Sequence, residues 1–186
     1  MMTSRPGDSY VVPKGNAAMH NTEDKAWWCL HGAALEHRFV DMCANHLGID
    51  GKINPEKATD PYAPDLVVNG TLADLKVQNT PFFTATRYDL DPRKTVTFNR
   101  KDYERYLARY PDIDIYFWVD WQQLSWRDSS VEHLAGVYKL PFQSIVQLIR
   151  RGAPEHGYLK RKFDRAGNAK SSFLLSLDDF ECIFEV

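Results

Sequence analysis

Asp65 and Asp74 lie either side of an Asn69-Gly70 dipeptide, within the stretch PDLVVNGTLADLKVQ at 64–78. Asn-Gly between two runs of strand-forming residues is the strongest short hairpin signal. With those two residues at the turn centre, Val68 faces Thr71, Val67 faces Leu72, Leu66 faces Ala73, and Asp65 faces Asp74. Directly opposed residues share a face, with Cβ atoms about 4.5–5.5 Å apart, so the turn sets two carboxylates side by side. Like charges placed this way destabilise a sheet, and a cation between them reverses the cost. All-oxygen ligation suits Mg²⁺, with Mn²⁺ as a substitute. The strand period of two then puts Lys76 and Gln78 on the face of Asp74, and the apolar Ala73, Leu75 and Val77 on the other. A lysine beside a metal can orient a water and, with its pKa lowered, help deprotonate it. The plain alternative is a solvated hairpin face, and the pairing of Asp65 with Asp74 weighs against it.

A third acid sits on a helix. Residues 33–47 read as helical, with Glu36, Val40, Cys43 and Leu47 on one stripe and Gly48 as the stop. Glutamates are seldom buried unless paired, so a metal or a lysine partner would explain Glu36. Otherwise it lies at the stripe's edge and reaches solvent.

The rest of the chain supplies the frame. Residues 1–24 are polar and broken by Pro6, Gly7, Pro13 and Gly15, so they read as an arm ahead of one domain at 25–186. A short strand is expected near 51–53, followed by a loop through Pro55, Pro61 and Pro64. Asn99 caps a helix at 100–110 with Tyr103, Tyr106, Leu107 and Tyr110 on one stripe. Strands are expected at 113–119 and 136–140. Pro141 opens a helix bearing Phe142, Ile145, Val146 and Ile149, and Gly152 closes it. A hairpin of 158–163 with 172–175 and a capped turn from Ser176 to Asp179 end the chain. This mixed order predicts an α/β fold.

Pro64-Asp65, eight intervening residues, then Asp74-Leu75-Lys76, preceded by Glu36 on a helix, resembles the PD-(D/E)XK nuclease superfamily. The resemblance covers about 27–121 and leaves 122–186 as an elaboration with a helix and a β-hairpin. It implies a restriction-endonuclease-like core, a central mixed β-sheet flanked by helices. It implies Mg²⁺-dependent hydrolysis of DNA phosphodiesters, with Asp65, Asp74 and the Leu75 carbonyl as metal ligands. Glu36 would complete the metal site, Lys76 would position the attacking water, and Gln78 would be accessory. Some branches add a tyrosine on the following helix, which Tyr103 or Tyr106 could supply. A single catalytic centre would require a dimer to cut both strands at once. The rival readings are a catalytically silent nucleic-acid-binding or protein-interaction module, and an RNA-directed nuclease.

Other features bear on partners. Arg150, Arg151, Lys160, Arg161, Lys162, Arg165 and Lys170 outnumber Glu155 and Asp164, a local basic excess suited to a nucleic-acid backbone. The net charge of −2 excludes a uniformly basic protein. No apolar run is long enough for a membrane span, and no Gly-rich loop suggests a nucleotide cofactor. Cys29, His31, His37, Cys43 and His46 do not match a familiar zinc spacing, so core and surface roles are expected. Three cysteines without a CxxC pair fit a reducing, cytoplasm-like compartment.

Overall fold

The computed structural model describes residues 25–157 and 171–186, with side chains from residue 32 onward. The first helix, α1 (Lys25–Met42), begins earlier than its stripe predicts and ends in a π-helical turn, Cys43–Leu47. Gly48 closes it at φ 64°, a conformation that costs a residue without Cβ nothing. Three strands follow as an antiparallel meander: β1 (Gly51–Ile53), β2 (Leu66–Val68) and β3 (Thr71–Gln78). The β2–β3 turn has Asn69 at φ 49° and Gly70 at φ 81°. Two positive φ values in succession match the twist of the strands they join, and the register is the expected one, Val68 with Thr71 through Leu66 with Ala73.

After β3 come β4 (Thr95–Asn99), α2 (Arg100–Arg109) and β5 (Asp114–Asp120). The Asn99 side chain accepts from Lys101 N at 2.8 Å and starts α2 as expected. A small hairpin of β6 (Ser125–Trp126) and β7 (Ser129–Ser130) leads to β8 (Ala135–Pro141) and α3 (Phe142–Arg150). The described chain ends with β9 (Glu155–Gly157), β10 (Ser171–Ser176), a 3₁₀ turn and β11 (Glu181–Glu185).

Among the described residues the central sheet has six strands in the order β1-β2-β3-β5-β8-β11, and β3 runs parallel to β5 while the other neighbours are antiparallel. The fold is therefore α/β with a mixed central sheet flanked by helices. Helix α1 covers one face, where Leu35, Phe39 and Met42 meet Ala73, Leu75, Tyr116 and Trp118. The other face meets α2, α3 and β4, through Val96, Phe98, Tyr106, Phe142 and Ile145 against Ile115, Phe117 and Val119. Strand β5 is covered on both sides, which is why its sequence is apolar without interruption from Ile115 to Val119.

Some expectations are corrected. Leu107 is exposed and not part of the α2 core stripe. The final segment forms β11, pairing with β8, beyond the capped turn alone. Strand β10 pairs with β9 on one side and β4 on the other, so the C-terminal part is attached to α2's own strand. Residues 158–163, expected as a strand, lie outside the described residues, as do residues 1–24.

Candidate active site at the open edge of β3

The β2–β3 ladder ends at Leu66–Ala73. Residues 74–78 continue along β5 but, among the described residues, have no strand partner on the β2 side. Asp65 and Asp74 are the next residues in register, one position past the end of the ladder. There the Asp65 side chain replaces a backbone acceptor: its Oδ2 accepts from Leu75 N at 3.2 Å. The N–H and C=O of one strand residue face the same edge, so the Leu75 carbonyl faces this opening as well.

The other Asp65 oxygen meets a residue that the motif does not contain. Lys57 Nζ lies 2.6 Å from Asp65 Oδ1 and 2.6 Å from Glu36 Oε1. Lys57 belongs to a 3₁₀ turn, Pro55–Ala58, in the loop of residues 54–65. Buried Asn54 fixes that loop: its Oδ1 accepts from Glu56 N at 3.1 Å, its Nδ2 donates to Pro64 O at 2.9 Å, and its backbone N donates to Asp65 O at 2.9 Å. The loop's outer part is held to α2, where Arg109 donates to Asp60 at 2.7 Å. Burial alone would lower the Lys57 pKa, but hydrogen bonds and charge from Asp65 and Glu36 outweigh it and raise the value. Glu36 thus has the lysine partner that its place on α1 calls for. The available signal was that requirement, in a loop whose sequence has no periodicity.

On the far side of Asp65 is a second charged group. Asp74 is buried, and Lys76 Nζ lies 2.7 Å from its Oδ2 and 2.6 Å from Asp102 Oδ2 on α2. Arg105 pairs with Asp102 at 2.9 Å and donates to the Tyr106 hydroxyl at 2.9 Å. Tyr106 is buried with its ring under the Lys76 ammonium, while the Tyr103 ring packs on Phe142 and Phe173. Burial pushes the Asp74 pKa up to about 6; Lys76 opposes this, and the charge of Asp65 adds to it. The Asp74 Oδ2 atom is close to the ammonium but has no aligned hydrogen bond.

The groups around Lys76 act on its charge. Burial lowers its pKa, but Asp74, Tyr106 and Asp102 together hold it well above the ordinary value. Gln78 is a brace: its side chain donates to Thr97 O at 2.7 Å and accepts from Thr97 N at 3.2 Å, tying β3 to β4.

Among the described residues no three His, Cys, Asp or Glu side chains gather as a metal-holding group. Mg²⁺ does not need three, since it keeps several waters and is bound through one or two carboxylates. Asp65, Asp74 and the Leu75 carbonyl are all oxygen donors, of the hard kind Mg²⁺ takes, and the buried Asp74 Oδ2 already lies against a cation, the Lys76 ammonium at 2.7 Å. The donor set fits Mg²⁺. Cys43 does not offer an alternative centre: it is buried in the α1 core, and burial pushes its thiol up to about 11, away from the thiolate a metal needs. Arg150 and Arg151 end α3, which packs on β8, across β5 from β3. Lys160, Arg161, Lys162 and Arg165 lie outside the described residues.

No family model, curated protein or solved structure matches the chain. A functional reading stands on the motif and on the geometry of this cluster. No helix among the described residues is long and apolar enough to cross a membrane.

Proposed function

We propose that the protein is a Mg²⁺-dependent nuclease of the PD-(D/E)XK type, hydrolysing phosphodiesters of DNA. The observation that carries the reading is the opening between β2 and β3, with Asp65, Asp74 and the Leu75 edge around it. The element order supports a restriction-endonuclease-like core: α1, the meander β1–β3, α2, then β5 parallel to β3.

In this reading Asp65 and Asp74 hold the cation, the Leu75 carbonyl completes its protein ligands, and Glu36 stands behind Asp65. When bound, Mg²⁺ polarises a phosphoryl oxygen and lowers the pKa of its water. Lys76 contributes a fixed positive charge and N–H donors that orient the attacking water or a phosphate oxygen. Asp102 holds Lys76 in place from α2. The basic C-terminal segment contacts the phosphate backbone.

The test is Mg²⁺-dependent cleavage of linear duplex, single-stranded and branched DNA, with RNA in parallel. Asp65→Ala and Asp74→Ala should each abolish cleavage and the Mg²⁺-induced rise in melting temperature. A binding module predicts no cleavage by the unmodified protein. The internal pairing of Lys57 and Lys76 with the acids favours that second reading, because the two ammonium groups offset half the charge of the four carboxylates without a metal.

A further inference from the structure

From the position of Lys57 we infer that its ammonium is an exchangeable placeholder for the metal: Mg²⁺ and Lys57 Nζ compete for the carboxylates of Asp65 and Glu36. The inference rests on the metal-dependent reading above and adds how its site is loaded. Lys57 Nζ is equidistant, at 2.6 Å, from one oxygen of each acid. It bridges them as a cation would, and it takes the Asp65 oxygen that does not bond Leu75 N.

The loop geometry allows exchange without refolding. Asn54 fixes the backbone on both sides of the 3₁₀ turn, so the anchor of Lys57 does not move. The side chain is a flexible four-carbon stem, and it is 23% exposed, which leaves a route to water. Lys76 differs. It too bridges two acids and is 21% exposed, but its ammonium also lies across the buried Tyr106 ring, a packing contact that Lys57 lacks. Of the two lysines at the site, Lys57 is the one that can leave. Without metal it keeps two carboxylates from facing each other unpaired. When a divalent cation binds Asp65, repulsion drives the ammonium out.

The first measurement uses the unmodified protein. Acetylation by an amine-reactive reagent is followed by mass spectrometry with and without saturating Mg²⁺, with exposed Lys52 as internal reference. Displacement predicts several-fold faster labelling of Lys57 in Mg²⁺ and no change at Lys52. The second is calorimetric titration of Mg²⁺ into Lys57→Met and Lys57→Arg. Removing a unit charge a few ångströms from a divalent ion should tighten binding by roughly tenfold or more in Lys57→Met, while Lys57→Arg stays near the unmodified affinity. Mg²⁺ binding with unchanged Lys57 labelling and equal affinity in Lys57→Met overturns the placeholder role and leaves the nuclease reading standing. Absence of Mg²⁺ binding in all three proteins overturns both.

Discussion

At the scale of single residues, the site is governed by which charges are compensated. Asp74 binds its proton more tightly folded than unfolded, because its folded pKa is raised to about 6. The folded state therefore holds more protons between the unfolded carboxylate pKa and pH 6, and stability falls as pH rises through that window. Urea unfolding from pH 4 to pH 7 should show this decline, and Asp74→Asn should remove most of it. Mg²⁺ should add stability above pH 6 and little below it, since protonated Asp74 is a poor ligand. Lys76→Ala tests a different link. Both acids persist, so Mg²⁺ and DNA should still bind. Cleavage should fall by about 10²–10³-fold, the usual worth of one preorganised donor at the reacting centre. Survival of cleavage within a few-fold would remove Lys76 from the mechanism.

At the scale of elements, the loop of residues 54–65 does what neither α1 nor β3 can do alone. It brings Lys57 between an acid on a helix and an acid at the end of a strand. Asn54 is its closing residue. Asn54→Ala leaves the Pro64 carbonyl and Glu56 N–H without their partner, at a cost of about 1–3 kcal/mol for buried groups. Thermal unfolding should show that loss, and Mg²⁺ affinity should fall as Asp65 loses its fixed position. A variant as stable as the unmodified protein would show that the loop is held by other contacts. Helix α2 has the matching role on the other side, with Asp102 on Lys76 and the Tyr106 ring beneath the same ammonium.

At the scale of the molecule, one chain provides one opening of this kind among the described residues, so cleavage of both strands in one event needs two chains. Sedimentation with and without DNA checks this: simultaneous double-strand cuts by a species that stays monomeric on DNA would contradict it. The basic segment gives a further test. Neutralising Arg161 and Lys162 should weaken DNA binding and reduce the log–log salt slope by about one unit per lost phosphate contact. An unchanged slope would make the segment a solvated face.

The sequence alone determined the local geometry. Asn69-Gly70 set the turn, the turn set the register, and the period of two set which side chains of β3 share a face. Asn99, Pro141 and the glycines at 48 and 152 marked helix limits through φ and capping rules that need no neighbours. Tertiary structure decided the rest, because long-range pairing leaves no periodic signal. It gave Glu36 its partner from a loop 21 residues away. It gave Lys76 its second acid from α2, 26 residues away. It used Gln78 to hold β4. A residue's type and strand face follow from spacing, but its protonation and its partners follow from the charges that packing brings within a few ångströms of it.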